Sequence, residues 1–509
     1  MKKWLGLGMI LLIAAFLYFY KLAEIPSGVY VDEASVGYNA LSIVETGRDE
    51  YGKAFPIYFR LMGSYSPGLQ IYLLAALMKL FGLGTFLMRS IAAGSMLGSV
   101  VVFYLFLRAL GIYRREGAYW WTTFFYAILP WSVFSARQGY ETTLGFFIFS
   151  LGTYLLFRSL KHPKYLVWAV AALSLSTYVS HNQRFLAPLF LIGFCWLFRR
   201  ETFVKKNWGV LKAAILVGIV ANIPNLVMMG TRAFWIKNSQ FNPENWRIVM
   251  TYLSPKTIFF NNPDIDMQHT IPELSLAYNF LVVPYLIGIF AFLRDRKQTW
   301  GKFLGFYFMM AILPAVLAGH FYNSQRPLVL IFPLMVIIGM GIDKMGRQIV
   351  WVPLTAYALL TLWRSYFVLF PVERAKGWNW GYDRVAEFVR ANPERKVVVD
   401  GTRNPRAYAL LLYHLRYSPL KYQREVDSNF VENYWRALAP VDSYSFGNVE
   451  VRPVDWEKDT RQGLLIVGDA LTISESQAAE HGLIKLEEII GPKGEVFFEI
   501  YEVEGFDGK

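Results

Sequence analysis

One cysteine, Cys195, is the only thiol in 509 residues. That excludes a disulfide framework and a Cys-based zinc site. Acidic residues are scarce over most of the chain as well. Residues 371–509 hold 18 of the 51 basic and 23 of the 38 acidic residues, which leaves 33 basic and 15 acidic for residues 1–370. The first 370 residues thus carry a net +18 and the tail a net −5. This basic excess lies between hydrophobic segments rather than on one face, so no nucleic-acid partner is expected. There is no internal repeat and no low-complexity tract, and no spaced-glycine phosphate loop. Gly401-Thr-Arg-Asn-Pro follows a strand-like run but lacks the glycines and lysine of such a loop.

Apolar surface is what the chain has in excess. It is 55% hydrophobic and 17% aromatic with positive mean hydropathy, which excludes an ordinary soluble domain. Spans are expected near 4–22, 86–107, 117–135, 142–158, 165–180, 185–198, 210–229, 276–293, 302–319, 327–342 and 350–369. The run 68–81 is too short to cross a bilayer and suits an interfacial helix. Leaving it out places the basic clusters around Arg108, Arg158, Arg199, Arg294 and Lys344 on the side of Lys2 and Lys3, as the positive-inside rule asks. Counting it as a span would reverse every later loop. Met1-Lys-Lys and the run after it resemble a signal peptide but lack a clear small-residue cleavage site, so a retained first span is expected. The expected protein is mostly α and polytopic, with about 11 transmembrane helices, its N-terminus cytoplasmic and its tail extracytoplasmic.

On this parity the first outer loop, 24–66, holds adjacent carboxylates in Gly28-Val-Tyr-Val-Asp-Glu-Ala-Ser-Val-Gly-Tyr-Asn39. Counting Asp32 as N-cap, Val36, Ala40, Ile43 and Val44 share a face of a helix that Gly47 closes. In the plainer reading Asp32 caps this helix and Glu33 favours its dipole. The same side gathers Asp49-Glu50, Arg89, Arg137 with Glu141, His181 with Arg184, and His320 with Arg326. Any one arginine there reads as an interfacial side chain snorkelling to headgroups. Three at one depth beside an acidic loop read as a site. The outer loop 231–275 contains Asp264-Ile-Asp266, which reads as solvated loop because D-x-D arises often by chance. From residue 376 to 509 the composition is that of a small α/β domain: strands at 396–400, 464–467 and 497–503, helices at 383–391, 404–415 and 474–481.

The Val-Asp-Glu-Ala loop continues into Thr46-Gly-Arg-Asp-Glu-Tyr-Gly-Lys-Ala-Phe-Pro-Ile-Tyr-Phe59, then Tyr65-Ser-Pro-Gly-Leu-Gln-Ile-Tyr72, Leu80-Phe-Gly82 and Arg89. Residues 1–370 resemble the polyprenyl-phosphate-sugar-dependent glycosyltransferases of the type-C superfamily, in particular the bacterial relatives of protein O-mannosyltransferases and of the lipid A aminoarabinose transferase. The resemblance implies a lipid-phosphate sugar donor in a cavity at the outer face. Asp32 matches the family's active-site aspartate and Glu33 the acid beside it. Arg137 with Glu141, His181 with Arg184, and Arg326 match its looser outer motifs. The family often opens the short helix with a basic or His residue and two prolines. Here Ser66-Pro67-Gly68 stands instead, which shifts phosphate binding toward Arg137 or Arg326.

The chemistry supports the same roles. A polyprenyl phosphate leaves without a general acid but needs its charge balanced by arginine. An attacking hydroxyl needs a carboxylate to take its proton. Asp32 is therefore expected as base, with Glu33 beside it. Arg137, Arg184 and Arg326 are expected on the phosphate, and Glu141, His181 and His320 as positioning groups. No cofactor is required; Glu33 with His181 leaves room for a divalent metal ion. The acceptor is a protein, a lipid or a glycan. A flippase or transporter is the rival class, and it calls for mid-membrane charges, repeats or broken helices.

Overall fold

A computed structural model of the chain describes residues 2–235, 246–261, 268–318, 323–346, 348–436, 443–459, 462–469 and 471–504. His320, Asp264 and Asp266 lie outside the described residues.

Every stretch expected to span the membrane falls on a helix. In order these begin with α1 (Lys2–Phe19), α2 (Val31–Thr46), α3 (Leu69–Phe81) and α4 (Thr85–Leu110). Then come α5 (Glu116–Ile128), α6 (Pro130–Ala136), α7 (Thr142–Ser159), α8 (Tyr165–Ser176) and α9 (His181–Leu197). Pro130 divides one expected span into α5 and α6, because a proline cannot donate to the preceding turn. Later come Trp208–Met228, Val282–Asp295, Thr299–Ala318, Ile331–Met345 and Trp351–Leu362. Among the described residues, five helices are long and apolar enough to cross a membrane. The chain is a mostly helical, polytopic membrane protein with a small C-terminal sheet.

Helix α3 has 13 residues, about 20 Å at 1.5 Å per residue, short of a ~30 Å hydrocarbon core. It buries Ile71, Leu74, Ala75 and Met78 while exposing Leu73, Leu80 and Phe81, as an interfacial helix does. Arg114 N–H and Arg115 N–H donate to Asp343 Oδ1 at 3.1 and 2.8 Å, so two of the basic loops lie at one end of the bundle.

The loop 24–66 is more ordered than its sequence indicates. Besides α2 it contains a hairpin, β1 (Tyr58–Leu61) with β2 (Ser64–Pro67), paired Tyr58 to Pro67 and Leu61 to Ser64. Its short strands carry no clean alternation to read. Helix α2 ends as expected, with Gly47 at φ +67° and its N–H on Ile43 O. It begins differently. Tyr30 is the N-cap, so Asp32 lies inside the first turn and does not cap it.

The tail forms a six-stranded sheet in the order β4-β5-β3-β6-β8-β7. The strands are β3 (Val397–Asp400), β4 (Tyr444–Phe446), β5 (Val449–Arg452), β6 (Leu465–Gly468), β7 (Leu483–Ile490) and β8 (Val496–Val503). Strand β3 runs parallel to both β5 and β6, and the outer strands pair antiparallel. The expected strands correspond to β3, β6 and β8. Strands β4, β5 and β7 had no expected counterpart, because Lys485, Glu487 and Glu488 break the apolar run of β7 and the other two are three and four residues long.

This sheet is no loose appendage. One hydrophobic core unites Val31, Ala34, Val36 and Tyr38 of α2 with Val385, Val397, Leu410 and Leu465 of the tail. A Cβ at Gly37 would stand 2.6 Å from the Tyr413 ring, so α2 and the helix Ala407–Leu415 touch at a residue without a side chain.

Candidate functional site

The adjacent carboxylates of α2 have opposite surroundings. Glu33 is fully buried and accepts from Arg89 Nε at 3.0 Å, Arg89 Nη2 at 2.9 Å, Gly139 N–H at 2.6 Å and Tyr30 N–H at 3.1 Å. Arg89 spends its remaining donors on Leu22 O, Pro26 O and Gly28 O, at 3.2, 3.0 and 2.5 Å. Both partners are saturated. With each Glu33 oxygen already accepting two hydrogen bonds, neither a proton in flight nor a metal ion has a free lone pair to use. In place of the catalytic and metal-binding parts expected for it, Glu33 ties the start of α2 to Arg89 of α4 and to Gly139 between α6 and α7.

Asp32, one residue away, is only half-buried and has no hydrogen-bond or ion-pair partner among the described residues. The Tyr140 phenol stands near it, buried and without a partner for its hydroxyl. Burial holds that phenol in its neutral form, and the charges of Asp32 and Glu33 act in the same direction. The Tyr30 ring lies 6.1 Å from that of Tyr140, 6.4 Å from His269 and 5.8 Å from Trp378. Tyr30, Tyr140 and His269 were not foreseen; aromatic residues are too frequent in this chain for any of them to stand out.

Arg137 is also reassigned. Its Nη1 donates to Leu17 O and Tyr18 O at 2.8 and 3.0 Å, and its Nη2 to Tyr20 O, Lys21 O and Ile25 O at 2.7, 3.3 and 3.0 Å. Leu17 and Tyr18 lie in the last turn of α1, whose free carbonyls a cation suits, and Tyr20, Lys21 and Ile25 follow it. Tyr366 and Phe367 cover the guanidinium at 5.4 and 5.1 Å. With both Nη groups given to backbone oxygens and Nε alone unpartnered, Arg137 ties the end of α6 to the end of α1, a role other than the phosphate contact expected for it. The next residues are gripped too, since Gln70 Nε2 donates to Gly139 O at 2.8 Å.

Arg184 behaves differently. Its Nη1 donates to Phe234 O at 2.8 Å and its plane lies 4.2 Å from the Tyr58 ring centre, while Nε and Nη2 have no partner. It lines a cavity of about 620 Å³ between α8, α9 and the helix Trp208–Met228. The walls are apolar, among them Leu173, Pro188, Ile215 and Ile219. Asn222 and Asn225, also in the lining, are engaged by Ser174 and Thr177 at 2.8 and 2.7 Å. Only 17% of the apolar window over Lys205–Met228 is buried, so one wall of the cavity faces lipid.

Asn182 Nδ2 donates to Arg326 O at 3.5 Å, which brings Arg326 to the same end of α9. Arg326 is half-buried with Nη1 unpartnered. His181 is the buried first residue of α9, and Glu141 is the N-cap of α7. Among the described residues no three His, Cys, Asp or Glu side chains group closely enough to share a metal ion.

A second acidic pair lies under the hairpin. Asp49 accepts from Lys53 N–H, Tyr51 N–H and, at 2.5 Å, Tyr434 Oη. Burial raises its carboxyl to about 6. Glu50 is fully buried, neither oxygen meets a donor in hydrogen-bond geometry, and burial with Asp49 beside it raises it to about 8. Arg60, buried against Tyr51 and Phe430, donates Nη1 to Phe430 O at 2.7 Å. This cluster belongs to the contact between the loop 24–66 and the tail.

At the level of sequence, no protein-family model and no curated protein matches the chain. Solved structures do resemble it. ArnT from Cupriavidus metallidurans bound to undecaprenyl phosphate superposes with a TM-score of 0.57 at 14% identity, covering 97% of each chain. The fold is that of the type-C glycosyltransferases. The apo form of the same ArnT gives 0.56 at 15% identity over 98% of each chain. The archaeal oligosaccharyltransferase AglB from Archaeoglobus fulgidus, in complex with an inhibitory peptide and a dolichol-phosphate, gives 0.51 at 14% identity over 81% of this chain and 64% of AglB. At such identities the type-C likeness concerns fold, and function rests on the side chains above.

Proposed function

We propose that this chain is an integral-membrane glycosyltransferase that moves a sugar from a polyprenyl-phosphate donor to an acceptor hydroxyl. The observation that carries this reading is the lipid-facing apolar cavity lined by Arg184, whose buried guanidinium leaves Nε and Nη2 without a partner. A buried guanidinium with N–H groups left unpaired is unfavourable unless an anion joins it. An apolar channel open to lipid suits a long isoprenoid tail. The lipids bound in ArnT and AglB, undecaprenyl phosphate and dolichol-phosphate, have this phosphate-and-isoprenoid chemistry.

In the proposed reaction the acceptor hydroxyl oxygen attacks the anomeric carbon and the bond from that carbon to the phosphate oxygen breaks. Its electron pair leaves with the phosphate, whose charge Arg184 and Arg326 balance. Asp32, half-buried and without a partner, takes the hydroxyl proton. One base and one anionic leaving group describe a single displacement with inversion, and the scheme requires no metal. His181 and Glu141 are positioning groups at the mouths of α9 and α7. The reaction is assigned to the outer face, with the N-terminus cytoplasmic and the tail extracytoplasmic. The sugar is a hexose or a pentose, and the acceptor a protein, a lipid or a glycan.

The deciding experiment is transfer from radiolabelled polyprenyl-phosphate sugars into lipid, glycan and protein fractions, wild type against Asp32→Asn. Label entering one fraction and lost in the variant is the expected result. Label that persists in the variant removes Asp32 as base. No transfer from any donor by folded protein gives the flippase reading precedence.

A further inference from the structure

The tail sheet contains a crevice that the transfer chemistry above does not use. The chain passes from β3 to β5 on one side of the sheet and then to β6 on the other side of β3. In open α/β sheets, ligands lie outside the carboxyl ends of parallel strands where the connections diverge in this way. Here that place lies between the ends of β3 and β6. A cavity of about 480 Å³ occupies it, walled by Asp400, Arg403 and Arg406 from one loop and Asp469 from the other. Its opposite wall is Tyr30 and Val31, the two residues before Asp32. Asn379, also in the lining, accepts Val31 N–H on its Oδ1 at 3.1 Å, so the wall of the crevice holds the first turn of α2.

The acids of the crevice are engaged. Thr402 and Thr472 donate to Asp400 at 2.7 and 3.2 Å, and Arg403 pairs with Asp469. Two cations in the lining are not. Lys376 and Arg406 are exposed and have no ion-pair or hydrogen-bond partner among the described residues. Trp380, Tyr382 and Phe497 supply aromatic surface beside them. Aromatic faces with surrounding carboxylates and amides suit a sugar, and free cations suit an anionic substituent on it.

We propose that this crevice is the acceptor subsite, and that it binds a saccharide bearing a phosphate or carboxylate group, one of whose hydroxyls is thereby delivered to Asp32. The role as acceptor subsite rests on the glycosyltransferase reading; the binding of an anionic saccharide does not. The tail then selects the acceptor, and its close docking on α2 is what joins selection to the base.

Calorimetry on the full chain in lipid nanodiscs tests the proposal with glucose, glucose 6-phosphate, glucuronate and inorganic phosphate. At least one anionic sugar is expected to bind about tenfold or more tighter than glucose and than phosphate, a difference of 1.4 kcal/mol or more. The stronger of glucose 6-phosphate and glucuronate names the anionic group. The double variant Lys376→Ala/Arg406→Ala, both exposed positions, is expected to lose that preference, while Asp32→Asn keeps it. Equal binding of glucose and the anionic sugars overturns the proposal, as does binding that survives the double variant or is matched by phosphate alone. Loss of transfer from every donor would defeat the enzyme reading without altering these binding results, so the two failures are distinguishable.

Discussion

Glu33 accepts four hydrogen bonds in a sealed arginine cluster, whereas Asp32, one residue before it on the same turn of α2, has none. The arginines divide in the same way. Arg89 spends all its guanidinium hydrogens on Glu33 and backbone oxygens and Arg137 all but that on Nε, while Arg184, in the lining of the apolar cavity, leaves Nε and Nη2 without a partner. A satisfied buried polar group holds a structure together, and an unsatisfied one marks where a ligand completes it. The contrast separates the residues that hold these loops together from those that the proposed reaction uses.

The largest effects should come from the two carboxylates, through different observables. Asp32→Asn should lower transfer by about 10²–10⁴-fold, the usual worth of a general base, with the melting temperature close to wild type. A large drop in melting temperature would place Asp32 with the structural groups instead. Glu33→Ala strands Arg89 in the interior and should cost about 3–5 kcal/mol of stability, seen as loss of monodisperse protein in detergent. A stable but inactive Glu33→Ala would return Glu33 to the chemistry.

Arg184→Leu removes the cavity's charged group while keeping its apolar character. A charge-assisted hydrogen bond is worth about 1.5–3 kcal/mol, so the donor KM should rise about 10–100-fold, measured by steady-state transfer. An unchanged KM would move the phosphate to Arg326.

A further effect concerns the acidic pair under the hairpin. Glu50 keeps its proton in the folded chain up to about 8 and Asp49 up to about 6, both above their ordinary values. The folded state then binds more protons than the unfolded one between about pH 4 and pH 8, so stability is greatest at the acid end and falls as pH rises through that window. Thermal unfolding should show a melting temperature that declines across it, and Glu50→Gln should flatten the decline. A decline that persists in the variant would assign it to other groups.

Much of the bundle was legible from composition because bilayer thickness imposes length and apolarity directly on the chain. Helix α2 and its Gly47 cap followed from local spacing, as did β3, β6 and β8. The site was less legible. Arg137 and Arg184 look alike in sequence, each next to a polar turn between apolar runs. Nothing local says that one meets the last turn of α1, 119 and 120 residues away, while the other meets Phe234 and an open cavity. Glu33 was misread for the same reason, since its partners Arg89 and Gly139 arrive from other segments.

Residue order by itself determined the membrane class, the spans and the acidic loop, because periodicity, hydrophobic length and capping act between near neighbours. Only the tertiary structure decided which charges are spent and which are free. Hydrogen-bond saturation depends on donors and acceptors that meet from distant parts of the chain. The docking of the tail sheet on α2 was decided there too, since it depends on the fit of Gly37 against Tyr413, a contact made only when both elements are folded.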